Sequence, residues 1–155
     1  MVNEIQSRGV GARARRESRG LGHVYLLTAD ETSIAELEAA LQALPYCARG
    51  RVFVEVDSAA DISRIDVPTR MTVTWLTRGT RSGAPGTGAA CANGEAVSRA
   101  VKAWSDEMLY SSTDTPHIWL CGHYRGVSAV HEHLVAELGV DPERIVTPAL
   151  YGLKS

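Results

Sequence analysis

Two kinds of apolar segment alternate along this chain, and the alternation leaves few folds open. HVYLLTA (23 to 29), RVFVEVD (51 to 57), MTVTWL (71 to 76), HIWLC (117 to 121) and RIVTPAL (144 to 150) are short and rich in β-branched or aromatic residues, as buried strands are. Between them lie stretches with helical spacing. Ser33 to Leu44 puts Ile34, Leu37, Leu41 and Leu44 on one face, and Pro45 closes it. Ala89 to Leu109 reads as a second helix, although Asn93 and Gly94 weaken its first turn. A third carries the stripe Val127, Val130, Leu134 and Leu138 and stops at Gly139. Ser33 and Glu36 have the spacing of a capping box. Strands joined through helices pair in parallel by right-handed crossovers. The expected fold is therefore an α/β, Rossmann-like three-layer sandwich around a mainly parallel five-stranded sheet. The link between the second and third strands is short and not clearly helical. TRGTRSGAPGTGAA, after the third strand, is glycine-rich and reads as a long loop, and Pro148 marks an edge or a strand end.

At 155 residues the chain suits one domain with a proper core. A net charge of −2 argues against a general nucleic-acid binder. No apolar run reaches membrane-spanning length, and the start lacks the apolar core of a secretory signal. Cys47, Cys91 and Cys121 are an odd, scattered set that fits a reducing cytoplasm better than a disulfide framework. Residues 1 to 22 hold Arg8, Arg13, Arg15, Arg16 and Arg19, four glycines and few large apolar side chains. They are expected to form a flexible arm ahead of a domain at 23 to 155. Such an arm either attracts phosphate or acidic partners or is a solvated tail.

In an open parallel sheet, ligands bind beyond the carboxyl ends of the strands, at the topological switch point. Three turns point there: 28 to 33, 77 to 88, and 121 to 126. The first presents the amino end of a helix, with unpaired N–H groups and a dipole that favour phosphate. Thr28, Thr32 and Ser33 add hydroxyls, whereas Asp30 and Glu31 would repel a pyrophosphate. The turn has no glycine-rich loop, and by itself it is equally a cap. Asp57 stands where an acid holds a ribose hydroxyl, which favours NADH. Arg78 and Arg81 stand where a cation meets a 2′-phosphate, which favours NADPH; all three residues can also be merely solvated. GTRSGAPGTG lacks the Lys-Ser/Thr ending of a nucleoside-triphosphatase loop. His131 and His133, two apart on a helix, point to different faces, so no metal site is expected. Cys121 beside Gly122 has no visible base to make it a nucleophile. Trp75, Trp104 and Trp119 read as core or interface residues.

HVYLLTADETS, RVFVEVDSAAD, VTWLTRG, HIWLCG and HLVAELGVDPERI, in that order, resemble the carboxyl-terminal domain of siderophore-interacting proteins over roughly residues 23 to 152. These are flavin-dependent ferric-siderophore reductases related to the ferredoxin-reductase superfamily. The resemblance implies an NAD(P)H-binding domain, with FAD on a separate amino-terminal β-barrel. The family's strand-end Gly-Asp-Glu-Thr corresponds to Ala29-Asp30-Glu31-Thr32, a turn that meets the nucleotide without a glycine-rich loop. The candidate cofactor-binding set is Thr28, Asp30, Glu31, Thr32, Ser33, Arg78, Cys121, Gly122 and His123; no catalytic residue is assigned. The family's Trp-Leu-Ala-Gly-Glu turn becomes Trp119-Leu120-Cys121-Gly122-His123. Its closing Gly-Tyr-Trp-Arg becomes Ala149-Leu150-Tyr151-Gly152, with Lys154 as the one nearby substitute for the positive charge. Only the arginine-rich arm stands before His23 in this sequence, so the flavin barrel is expected elsewhere, and hydride transfer to iron(III) needs a two-electron to one-electron converter. The chain is thus expected to reduce a ferric siderophore only as the pyridine-nucleotide half of a split reductase, with FAD on a partner chain. The other expectation is a non-catalytic Rossmann-like module that acts through homodimerisation or partner binding. Neither nucleic acid nor membrane is an expected partner.

Overall fold

Leu26 and Leu27 are neighbours in sequence, yet each is buried in a different core, and this places their strand at the centre of the sheet. In the computed structural model, which describes residues 22–153, β1 (His23–Asp30) pairs in parallel with both β2 (Arg49–Val56) and β4 (Thr115–Leu120). Leu27 stands opposite Val52 on one side and Trp119 on the other. β3 (Arg70–Thr77) extends the sheet beyond β2, and β5 (Ile145–Val146) lies beside β4. The order is β3-β2-β1-β4-β5, every pairing parallel. This is the expected Rossmann-like α/β class.

Helices cover both faces, as the two-sided burial of the strands requires. On one face, α1 (Ile34–Gln42) sets Leu37 and Leu41 against Leu27, Val52, Val54 and Met71. On the other, α2 (Glu95–Met108) and α3 (Tyr124–Glu132) set Val97, Val101, Val127 and Val130 against Leu26, Phe53, Ile118 and Leu120. The link from β2 to β3 is a short 3-10 turn at Ala59–Asp61 followed by extended chain. Its Ile65 and Val67 pack on the α1 face in place of a helix. Trp75, Trp104 and Trp119 are half-buried against the two cores, Trp104 edge-on to Phe53.

The structure corrects the sequence reading at several element ends. α2 starts at Glu95, not near Ala89. Gly94 is left-handed at φ +81°, and the preceding loop folds back so that Ser82 bridges Ala90 and the Cys91 N–H bonds Arg81 O at 2.9 Å. β5 holds two residues rather than running from 144 to 150, because Pro148 has no N–H for a ladder and Ala149–Tyr151 coil into a 3-10 turn. α3 widens into a π turn at His133–Glu137 before ending at left-handed Gly139. The arginines of the arm and Lys154 lie outside the described residues. No helix among the described residues is long and apolar enough to cross a membrane.

A candidate cleft at the switch point

The chain runs outward from β1 through β2 to β3, then returns to place β4 on the other side of β1. The switch point therefore lies between the carboxyl ends of β1 and β4, and two of the three turns singled out in the sequence meet there.

The first turn is held by its own polar groups. Asp30 Oδ1 accepts the Thr32 N–H at 3.0 Å, the Thr32 hydroxyl at 2.7 Å and the Ser33 hydroxyl at 3.0 Å. The Ser33 oxygen in turn accepts the Asp30 N–H at 2.9 Å. This overturns the capping box: the Ser33 side chain makes no cap bond to α1, since Asp30, three residues earlier, competes for it successfully. The Leu37 N–H is the first to close on the helix, bonding Ser33 O at 3.0 Å. The N–H groups of Ile34, Ala35 and Glu36 are left outside the ladder, at the positive end of the helix dipole. Thr28 is buried, and its hydroxyl stitches β1 to β4 by donating to Cys121 O at 3.0 Å and accepting the Cys121 N–H at 3.2 Å.

The second group centres on Arg78, which is 7 % exposed. Its guanidinium reaches back across the sheet edge to pair with both carboxylate oxygens of Glu31, one at 2.9 Å. It also bonds Glu55 at 3.4 Å and lies 3.8 Å from Asp57. The bonds from Arg78 hold the Glu31 carboxyl below its ordinary pKa, and Glu31 in return raises that of Arg78. Glu55 is the residue the sequence reading missed. It is 1 % exposed, and its two oxygens accept the Gly94 N–H at 2.7 Å and the Val97 N–H at 2.8 Å, capping α2 from a strand. A lone acid inside the run RVFVEV was the available signal, because a buried charge demands partners. Gly94 and Gly126 let the starts of α2 and α3 touch: a Cβ on Gly126 would lie 2.8 Å from Gly94 Cα.

At the end of β4 the chain turns at Gly122, whose φ of +114° suits glycine. The Tyr151 hydroxyl donates to Gly122 O at 2.6 Å, so the tail of the chain locks this turn. His123 caps α3, its Nδ1 accepting the Arg125 N–H at 3.2 Å, and the rest of the ring is exposed. Burial raises the Cys121 thiol above its ordinary pKa, which makes it a poor nucleophile near neutrality. Between these parts opens a cleft of about 340 Å³, with Thr32, Ser33 and Glu36 on the α1 side, Cys121 and Gly122 at the end of β4, and Leu150 and Tyr151 from the tail. Arg81 is exposed on the loop after β3. His133 bonds Asp106 at 2.7 Å on the far end of α3. Among the described residues no group of three ligating side chains forms a metal site.

Comparison with known proteins settles the family. The model of the siderophore-interacting protein family matches residues 23–149. The chain belongs to the siderophore-interacting protein family. Uncharacterised proteins of Mycobacterium tuberculosis and Mycobacterium bovis are 41% identical to it over 58 residues, which is 37% of this chain and 20% of theirs. Among solved structures, the siderophore-interacting protein SipS of Aeromonas hydrophila superposes with a TM-score of 0.59 at 21% identity, covering 83% of this chain and 50% of that one. A siderophore utilization protein from T. fusca gives 0.56 at 24% identity, covering 79% of this chain and 42% of its own. These likenesses show the fold, and the domain spans half or less of the proteins it resembles.

Proposed function

We propose that this domain binds a nicotinamide nucleotide, NADH or NADPH, across the strand-end cleft. It would serve as the pyridine-nucleotide half of a flavin-dependent ferric-siderophore reductase whose FAD is carried on a partner domain. The observation that carries the reading is the cleft itself: in a chain of this family, it opens at the switch point between the amino end of α1 and the Cys121-Gly122 turn. The residues present fit such a ligand. The free N–H groups of Ile34 to Glu36 suit a phosphate, and the Asp30 carboxylate is turned into its own loop by three bonds. Gly122 keeps the β4 turn free of a side chain, and Tyr151 fixes its carbonyl. His123, next to Gly122 and at the position where the resemblance gives an acid, is exposed. When bound, the nicotinamide supplies a hydride, and a flavin divides the pair into single electrons for iron(III). The part of this chain is to bind, orient and shield.

Calorimetric titration of the purified chain with NADPH and then NADH tests the proposal. Micromolar binding that weakens in Thr32→Ala, which loosens the Asp30 turn, supports it; no heat with either nucleotide refutes it. One observation favours a second reading, a non-catalytic module that pairs with another protein or copy. The sheet face beside α1 carries a groove of about 410 Å³ lined by Tyr25, Leu44, Trp119 and Val146. A stable dimer by sedimentation, with no nucleotide binding, would select that reading.

A further inference from the structure

We infer that the strand-end site, at its edge beyond β2, rejects a 2′-phosphate and takes NADH in preference to NADPH; this rests on the nucleotide reading above. In an open parallel sheet the adenosine ribose lies against the end of the strand that follows the first helix, and an acid there accepts its hydroxyls. That strand is β2, and the side chain just beyond it is Asp57. Its carboxylate is 75 % exposed and, apart from Oδ1 lying 3.8 Å from Arg78, makes no hydrogen bond among the described residues, so it is open to accept from a ribose diol.

The cation that a 2′-phosphate would need is already spent. Arg78 faces Glu31, Glu55 and Asp57, three carboxylates around one guanidinium, so this edge carries two more negative charges than positive ones. To meet a phosphate, Arg78 would have to leave its paired Glu31 and abandon Glu55, which is buried. The amino end of α2, the other nearby source of N–H donors, is likewise closed by the Glu55 carboxylate. A 2′-phosphate brings about two further negative charges to an edge with Asp57 in the open. Arg81 is the exposed cation on the neighbouring loop that would have to offset all of this.

The test is competitive titration of the full chain with NADH and NADPH, and with AMP and adenosine 2′,5′-bisphosphate, at moderate salt. NADH should bind about tenfold or more tightly than NADPH, and the added 2′-phosphate should weaken binding relative to AMP. Asp57→Asn, at an exposed position that the fold does not depend on, should narrow the NADH-to-NADPH ratio by about tenfold. Arg81→Ala should leave that ratio unchanged. NADPH binding as tightly as NADH, or a loss of NADPH affinity alone in Arg81→Ala, would overturn the inference while leaving nucleotide binding intact. Failure of all four ligands to bind would overturn the nucleotide reading, and this inference with it.

Discussion

Glu55→Gln is the substitution that tests most sharply how the strand ends are held together. The wild-type carboxylate is 1 % exposed, accepts two backbone N–H groups at 2.7 and 2.8 Å, and faces the Arg78 guanidinium at 3.4 Å. Glutamine keeps the shape but turns one acceptor into an NH₂ that confronts a backbone N–H. It also removes the charge opposite Arg78. Hydrogen bonds to a charged acceptor are worth about 1.5–3 kcal/mol each, and burial leaves no water to replace the lost one. Losing one bond and weakening the others should cost about 2–4 kcal/mol, out of a total near 5–15 kcal/mol for a domain of this size. At about 4 °C per kcal/mol the melting temperature should fall by about 8–16 °C. Urea unfolding followed by circular dichroism near neutral pH is the assay, with an unchanged m-value showing that the effect lies in the folded state. A Glu55→Gln protein within about 0.5 kcal/mol of wild type would refute the claim that this carboxylate ties β2, α2 and Arg78 together.

Other expectations follow from the same geometry. Gly126→Ala would force a Cβ to 2.8 Å from Gly94 Cα and 2.9 Å from Gly94 O, both backbone atoms. The starts of α2 and α3 must then separate, at a cost of about 1–3 kcal/mol readable as a lower urea midpoint. Burial, with His23 and Arg144 nearby, holds the His117 imidazole below its ordinary value of 6.5. The unfolded chain then takes up that proton more readily than the folded one, so this contribution to stability is complete above 6.5 and drains as pH falls below it. His117→Gln should flatten the fall in urea midpoint on moving from about pH 7 to about pH 5.5. Cys47 is exposed, Cys91 is buried, and the Cys121 thiol is raised by burial. Iodoacetamide followed by peptide mass spectrometry should find Cys47 labelled first and Cys121 late, the latter rate climbing with pH; equal rates would contradict the described environment of Cys121.

The sheet was legible because its strands are buried on both faces and so read as β-branched runs, and the helix stripes of α1 and α3 showed which residues turn inward. The location of the cleft was legible too, since topology alone sends the turns at 28 to 33 and 121 to 126 to one switch point. Local competition was not. Ser33 and Glu36 have capping-box spacing, but Asp30 sits close enough to claim the hydroxyl, and spacing cannot rank the two. Ala89 to Ala92 has good helical propensity, yet the left-handed Gly94 and the bridge from Ser82 to Ala90 hold it in the loop. The partners of Arg78 and Glu55 were hidden for a different reason. Glu31 is 47 residues from Arg78, and Gly94 is 39 from Glu55, so only the folded sheet brings them together. An arginine that sequence offers to a phosphate is thereby converted into an internal counter-ion.

The most direct measurement is a map of backbone amide NMR shifts as the full chain is titrated with NADH. Nucleotide binding at the switch point should move the amides of Thr32 to Glu36 and of Cys121 to His123 together, along with Tyr151, which bonds the Gly122 carbonyl. Shifts confined to the groove of Tyr25, Leu44 and Trp119, or no shifts at saturating nucleotide, would contradict it.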